Sequence, residues 1–278
     1  MIYYIIKRLF QIILRVFMDY KFLFLMGSSL EHFDEANFSR YKTEQRFFQT
    51  LDTIKSVREK APNAYICMFE CSHKPIPEEY KEILEEKVDL FLEFYDDEVL
   101  KLIYENLNKN PPLFTFGKSL LETRGLLCAL YYLQKNQVFT DVQRIFKLTG
   151  RYSLNDDFDI QDYESKLLQN YYVAKTFEYP EIENDVMDDI VYTNFYAFCY
   201  KSKGSMVTGL WSFDRMLFTE TVEALESSFK YMEKMITCTS GIDIEHSLYY
   251  YLDKKKIIRS TNLGLNVIKG MEEATYTI

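Results

Sequence analysis

This 278-residue chain has few residues of the kinds that form metal or disulfide sites. It contains only three histidines, His32, His73 and His246, which lie far apart in the sequence. A histidine-based metal site would therefore need ligands of other residue types. The five cysteines are odd in number and scattered. Cys67 and Cys71 lie on a predicted strand and at its end, which does not favour a zinc pair, so we expect reduced, buried thiols.

An excess of basic residues is also missing. Lys and Arg number 33 against 42 Asp and Glu, a formal net charge of −9, which argues against a nucleic-acid partner. A few local cations and helix N-termini are still enough to bind a small anionic ligand. Two phosphate-binding motifs are absent: no G-x-G-x-x-G follows a predicted strand, and no G-x-x-x-x-G-K-[ST] occurs. Their absence disfavours dinucleotide-binding and P-loop enzymes.

Apolar and aromatic residues are abundant, at 47% and 17%, which is typical of a globular chain with a substantial core. From residue 19 onward, apolar runs alternate with segments of helical periodicity. Strands are predicted over residues 21–26, 64–70, 88–95, 144–149, 190–201 and 206–211. Helices are predicted over residues 44–60, 78–84, 100–107, 119–134 and 222–232. This alternation predicts an α/β fold with a mostly parallel central sheet flanked by helices.

Residues 1–17 stand apart from this pattern. Lys7, Arg8, Gln11 and Arg15 fall on one arc of a helical projection, and the rest of the circumference is apolar. This predicts a cationic amphipathic helix of the kind that lies in a membrane interface, too interrupted by charge to span a bilayer. Packing on the domain or on a partner subunit is an alternative. A native start at Met18 is another.

Residues 144–159 place charges where a ligand site is expected. The apolar run over residues 144–149 contains Lys147, stops at Gly150-Arg151, and leads into an acidic loop with Asp156 and Asp157. Open α/β sheets bind their ligands at the carboxyl ends of strands. Because side chains alternate along a strand, Lys147, Thr149 and Arg151 are predicted to point to one face.

A second pattern runs through residues 41–72. It consists of polar positions on a predicted helix, followed in the sequence by a predicted strand that leads into Glu and Ser. The positions that carry it are Arg46, Gln49, Thr50, Thr53, Ile54, Ser56, Arg58, Pro62, Ala64, Glu70 and Ser72. This pattern resembles the N-terminal signature of bacterial and viral polysaccharide glycosyltransferases, with Val57 in place of an Ile.

Three later segments are similar to landmarks of the GT-A glycosyltransferase fold. Residues 147–152 occupy the place of the strand that usually ends in Asp-x-Asp. Residues 209–218 resemble a glycine, an apolar strand and Phe-x-Arg. Residues 241–252 resemble the segment that opens with the acidic catalytic base. The resemblance implies one GT-A-like, Rossmann-like domain over residues 18–278, after the N-terminal helix of residues 1–17.

The function implied by the resemblance is a hexosyl- or pentosyltransferase of polysaccharide biosynthesis. Such an enzyme moves a sugar from a nucleotide-sugar donor to a glycan or glycolipid acceptor, here with inversion. We expect it in the cytoplasm, with residues 1–17 as a contact to the inner face of a membrane. The non-enzymatic alternative is a carbohydrate-binding or scaffold protein on a glycosyltransferase-like fold, since fold does not fix function.

The departing diphosphate needs positive charge, which most GT-A enzymes supply with Mn²⁺ or Mg²⁺ held by carboxylates. Here the corresponding place reads Thr149-Gly150-Arg151, and an arginine fork can bind phosphate bidentately. We therefore expect a metal-independent site that uses Lys147 and Arg151. Two alternatives stay open: a displaced Mn²⁺ or Mg²⁺ site at Asp156 and Asp157, and a structural salt bridge for Arg151.

Glu245 is the predicted general base, because it follows Asp243 at the start of a predicted helix and an inverting transfer needs one base. Its alternative role is capping of that helix. His246 is a candidate proton donor to the leaving group, and a structural role is its alternative.

The resemblance also implies residues that bind the donor and the acceptor. Those predicted at the donor, besides Lys147 and Arg151, are Ser28, Arg40, Tyr41, Glu70 and Lys118. Those predicted at the acceptor are Trp211 and Asp214, although core packing is the alternative for the single tryptophan.

Overall fold

The computed structural model describes residues 22–31, 41–109, 114–179, 202–236, 242–268 and 275–277. The predicted amphipathic helix of residues 1–17 and the predicted strand of residues 190–201 lie outside these ranges. The membrane contact and the domain boundary at residue 18 therefore stay predictions. Among the described residues, no helix combines the length and the apolar character needed to cross a membrane.

The described chain alternates between strands and helices over most of its length. Strands β1 to β10 span, in order, Phe22–Ser28, Tyr65–Glu70, Leu90–Glu93, Arg144–Thr149, Ser153–Leu154, Tyr172–Glu178, Gly204–Asp214, Ile257–Arg259, Leu265–Ile268 and Thr275–Thr277. Helices α1 to α6 span Thr43–Lys60, Glu78–Lys87, Glu98–Lys109, Phe114–Asn136, Phe218–Ile236 and Ile244–Tyr251.

Seven of these strands form the central sheet, in the order β3-β2-β1-β4-β7-β6-β8. Strands β3, β2, β1 and β4 run parallel. Strand β7 lies antiparallel to both β4 and β6, and β8 pairs parallel with β6. A small antiparallel sheet, β10-β9-β5, lies beside it. The predicted α/β fold with a mostly parallel sheet is confirmed.

The sheet separates two apolar cores because side chains alternate along each strand. In β1, Leu23 and Leu25 belong to one core, and Phe24 and Met26 to the other. The first core packs against α3, α4, α5 and α6, and the second against α1, α2 and the small sheet. The prediction that helices cover both faces is therefore confirmed.

Some predicted boundaries are wrong, and one of them matters for the site. Helix α4 begins at Phe114, well before residue 119, so Lys118 is helical. Strand β4 ends at Thr149, and Arg151 lies in the following turn instead of on the strand face. The turn is tight: Gly150 N donates to Gly27 O at 2.8 Å, and a Cβ on Gly150 would lie 2.8 Å from the same oxygen.

Candidate functional site: a cation-lined cavity beside a half-buried glutamate

A cavity opens at the carboxyl edge of the parallel strands β1, β2 and β4. Gly27 and Ser28 line it from β1, Phe69 from β2 and Thr149 from β4. The N-terminal parts of α1 and α4 close its sides. Open α/β sheets bind their ligands at this edge, so the fold is that of a ligand-binding α/β protein with its site at the carboxyl ends of the strands.

Three cationic side chains line this cavity: Arg46 from α1, Lys118 from α4, and Arg151 from the turn after β4. Burial, followed by the charge of Arg151, lowers the pKa of Arg46 to about 9. Burial and then the charges of Arg151 and Arg46 lower the pKa of Lys118 to about 8. The three cations therefore repel one another at close range, and an anion among them would be stabilised by all three. We refer to Arg46, Lys118 and Arg151 as the cation triad.

Two members of the triad carry buried donors. Within the described part of the chain, neither Arg46 Nε nor Arg151 Nη1 has a hydrogen-bond partner. A buried donor without an acceptor costs about 1–3 kcal/mol. Ligand oxygens in the cavity would remove that cost, so both atoms indicate a site for an anion.

Lys147 does not belong to this triad, although the sequence predicts that it binds donor phosphate. It is fully buried on the α4 side of β4. Its ammonium contacts the carboxylate of Glu122 and donates to Thr149 Oγ1 at 2.9 Å and to Thr208 O at 2.7 Å. An ammonium has three N–H donors, and these three partners use all of them. Lys147 does not line the cavity, and its donors are used within the protein, so this geometry does not support the predicted phosphate contact.

Glu245, at the start of α6, shares a hydrogen-bond partner with this buried lysine, namely Thr208. Thr208 Oγ1 donates to Glu245 Oε1 at 2.8 Å. Burial, followed by the charges of Asp243 and Glu122, raises the pKa of Glu245 to about 7. The helix cap is Asp243, whose carboxylate accepts from the backbone N of His246, so Glu245 is not needed for capping.

His246 faces a different environment from the one predicted. Its Nδ1 lies 2.5 Å from Asp243 Oδ1, and its Nε2 lies 2.7 Å from the hydroxyl of Tyr179. Both ring nitrogens are thus engaged, and His246 is not among the residues that line the cavity. Its predicted role as a proton donor to the leaving group is not supported by this geometry.

The remaining donor candidates have four different placements. Ser28 lines the cavity, and Lys118 is part of the triad. Glu70 is fully buried below the lining: burial raises its pKa, and hydrogen bonds from Ser72, Leu30 and Ser28 oppose that rise. Tyr41 is half-buried ahead of α1, away from the cavity lining. Arg40 lies outside the described residues.

Both predicted acceptor residues lie away from the cavity. Trp211 is only 1% exposed and packs against Phe213 in the core, so its ring offers no face to a sugar. Asp214 pairs in register with Arg144, the first residue of β4, and therefore lies at the opposite edge of the sheet. It accepts from Met216 N at 2.9 Å and caps a short turn. This geometry does not support the two predicted acceptor contacts, and a strand pattern alone does not show which end of β7 reaches the cavity.

The acidic loop has local partners instead of a shared ligand. Asp156 pairs with Lys60 at 2.6 Å, Asp157 accepts from Asn262 at 3.1 Å, and Asp159 caps a short turn. Across the residues that the structure describes, no group of three or more His, Cys, Asp or Glu side chains is placed to hold a metal ion. The alternative of a displaced metal site at Asp156 and Asp157 therefore lacks support in the geometry.

The cavity itself also fits a divalent cation poorly. Among the described residues, its charged lining consists of the cation triad and Glu122, and the Glu122 carboxylate is already paired with Lys147. Mn²⁺ and Mg²⁺ need several oxygen ligands, which this set of N–H donors does not provide.

Sequence reasoning missed the roles of Arg46 and Thr208. Arg46 is part of the resemblance, but no pattern in the sequence brings α1 beside the end of β4. Thr208 lies within an apolar strand, and nothing local marks its hydroxyl as a partner of Glu245.

No protein-family model matches the chain, and no curated protein matches it. Among solved structures, it is similar to a glycosyltransferase involved in glycosylation of the major capsid of PBCV-1, with 12% identity, a TM-score of 0.39, and 86% of this chain and 81% of that chain covered. It is also similar to the galactosyltransferase LgtC, solved with donor and acceptor sugar analogs, with 10% identity, a TM-score of 0.45, and 86% and 73% covered.

A third similar structure is core-mannan synthase A from Aspergillus fumigatus in its Mn/GDP form, with 10% identity, a TM-score of 0.41, and 82% and 65% covered. The three proteins are of the class that the sequence resemblance names. At these identities and TM-scores, the likeness does not establish an activity for this chain.

Proposed function

We propose that the protein is a glycosyltransferase that moves a hexose or pentose from a nucleotide-sugar donor to a hydroxyl of a glycan or glycolipid acceptor. The observation that carries this proposal is the closeness of a cation-lined cavity to a half-buried carboxylate of raised pKa. One site binds an anion, and the other can accept a proton. A transfer from a nucleotide sugar needs both.

A short series of contacts joins the two sites. Glu122 lines the cavity and pairs with Lys147, and Lys147 donates to the backbone carbonyl of Thr208. The hydroxyl of Thr208 then donates to Glu245. The charge of Glu122 also acts on Glu245, which supports their closeness.

The proposed reaction is a direct displacement at the anomeric carbon. Glu245 takes the proton of the acceptor hydroxyl while that oxygen forms a bond to the anomeric carbon. The bond from this carbon to the phosphate oxygen breaks, and its electron pair leaves with the nucleoside diphosphate. The cation triad stabilises the charge that develops there. One base and one displacement give inversion of configuration.

A thermal-shift panel of UDP-, GDP-, CMP- and dTDP-sugars, with and without Mn²⁺, tests the binding half of the proposal. A ligand at about one hundred times its dissociation constant adds about 2.7 kcal/mol of stability. At least one nucleotide sugar should raise the melting temperature. If none does under either condition, the proposal fails.

Turnover tests the catalytic half. With the stabilising donor and a panel of glycan acceptors, Glu245→Gln should abolish transfer and leave donor binding unchanged. The exposed Glu233→Gln on α5 is the matched control and should keep full activity. A wild-type protein that binds donors but transfers to no acceptor would instead indicate a carbohydrate-binding or scaffold protein.

A further inference from the structure

We infer that the cation triad binds a diphosphate group directly, without a divalent cation. The inference rests on the proposed function, because it assigns the triad to the diphosphate of the donor and of the departing nucleotide. It concerns the chemical form of the ligand: a diphosphate without bound metal instead of its Mn²⁺ or Mg²⁺ complex.

The electrostatics of the cavity favour a multiply charged anion. Arg46 is only 8% exposed, and the charge of Arg151 acts on both Arg46 and Lys118. The carboxyl of Glu70 acts on Arg46 as an opposite charge. The three cations still repel one another in a partly desolvated cavity, so a further negative charge among them is favourable. A diphosphate brings several negative charges into the space between them. A divalent cation at the same place would add to the repulsion.

The hydrogen-bonding groups point to the same ligand. Arg46 Nε and Arg151 Nη1 are buried donors that lack acceptors within the described chain. Phosphate oxygens accept hydrogen bonds, and a planar guanidinium can contact two of them at once. A metal ion offers no acceptor to either atom.

The backbone places Arg151 for this contact. Gly150 N donates to Gly27 O, which fixes the turn after β4 against the end of β1. A side chain at position 150 would clash with that oxygen, so the close approach depends on glycine. The turn therefore holds Arg151 on the cavity in a defined position.

The Glu122 carboxylate in the cavity lining is not available as a metal ligand. Glu122 is 29% exposed and pairs with the fully buried Lys147. Releasing Glu122 to a metal would leave the Lys147 ammonium without its counter-charge, which is costly in a buried position. The ion pair therefore keeps Glu122 in place and leaves the triad as the anion-binding part of the cavity.

Calorimetric titration of the full chain with inorganic pyrophosphate and with UDP, GDP, CDP and dTDP tests the inference. One series contains EDTA, and the other contains Mg²⁺ or Mn²⁺. We expect pyrophosphate and at least one nucleotide to bind in EDTA, with an affinity within threefold of that in the metal series. Arg151→Gln and Lys118→Gln should each weaken pyrophosphate binding at least tenfold. Lys101→Gln, an exposed lysine of α3, is the matched control and should bind as the wild type does.

The outcomes separate this inference from the proposed function. Nucleotide binding that appears only with a divalent cation would overturn the inference and leave the proposed glycosyltransferase standing. Unchanged pyrophosphate binding in both triad variants would also overturn it. Pyrophosphate binding in EDTA without any sugar transfer would support the anion site but refute the proposed function. Circular dichroism of each variant shows whether it is folded, and either triad variant suffices for the test.

Discussion

Thr208 connects the buried Lys147 to Glu245 through two different atoms. Its backbone oxygen accepts from Lys147 Nζ at 2.7 Å, and its hydroxyl donates to Glu245 Oε1 at 2.8 Å. The hydroxyl bond favours the charged form of Glu245 and opposes the rise in pKa that burial causes. Thr208 is therefore a positioning residue for the proposed base.

Replacing Thr208 with Val removes only the hydroxyl contact, because the backbone oxygen stays. The pKa of Glu245 should then rise further, since the hydrogen bond lowers it. In the pH profile of transfer, the ascending limb should move to higher pH, with a reduced plateau and little change in KM for the donor. Thr208→Ser keeps a hydroxyl and should restore the wild-type profile. A purely structural role would leave the position of the limb unchanged in both variants.

The raised pKa of Glu245 also predicts how stability depends on pH. The folded protein holds this proton more tightly than the unfolded chain, so the free energy of unfolding should fall as pH rises from about 4.5 to about 7. The contribution is on the order of 3 kcal/mol. Glu70 acts in the same direction, since burial raises its pKa as well. Glu245→Gln should remove the contribution of Glu245, so the free energy of unfolding should depend less on pH.

Denaturant unfolding at pH 5 and pH 8 measures this difference. The loss of stability between the two values should be smaller in Glu245→Gln than in the wild type, and unchanged in Glu233→Gln. An equal loss in all three proteins would show that Glu245 has an ordinary pKa in the folded state.

The Lys147–Glu122 ion pair predicts that removing the charge of Lys147 alone strongly lowers the stability of the protein. Lys147→Met should destabilise the protein by about 3 kcal/mol or more, because it leaves Glu122 without its partner beside the core. Adding Glu122→Gln should recover part of the loss. Urea unfolding of the two single variants and the double variant gives the coupling energy. Strict additivity would contradict the pairing.

Gly150 provides a test of how the turn positions Arg151. In Gly150→Ala the new Cβ would lie 2.8 Å from Gly27 O, so the turn must shift. We expect a loss of about 1–3 kcal/mol in stability, as for other overpacked sites. Pyrophosphate binding, measured where the variant is fully folded, should weaken along with it. Binding at wild-type affinity would show that Arg151 does not depend on this close approach.

The sequence predicts the parallel half of the sheet well, because β1 and β2 are apolar runs bounded by turn residues, and β4 is a similar run interrupted by Lys147. It also predicts that Lys147 and Thr149 share a face, and their hydrogen bond of 2.9 Å confirms it. It fails where a role depends on a partner far along the chain. Lys147 has the charge of a phosphate ligand, but its partner Glu122 comes from α4.

Contacts between residues far apart in the sequence also explain why the role of the cavity residue Arg46 was not predicted. Arg46 reaches the cavity from α1, where local periodicity shows only that the residue is helical. Trp211 and Asp214 belong to a strand whose direction is antiparallel to β4, so its later residues move away from the site. The packing of helices and strands against one another determines where these side chains lie. The local pattern of a single sequence does not reveal that packing.

Lys118 makes the binding of a nucleotide sugar sensitive to pH in a range where the esterified diphosphate of that ligand does not titrate. Burial and the neighbouring Arg151 and Arg46 lower its pKa to about 8. Below that pH the ammonium is charged and attracts the ligand, and above it the neutral amine does not. The affinity for the stabilising nucleotide sugar should therefore fall as pH rises from 7 to 9, and binding near pH 8 should take up protons, because the bound anion raises the pKa of Lys118. Titrations in buffers of different ionisation enthalpy measure that uptake. Lys118→Gln removes the titrating group and should show a smaller uptake and a flatter profile, whereas the same uptake in both proteins would assign the proton to another group.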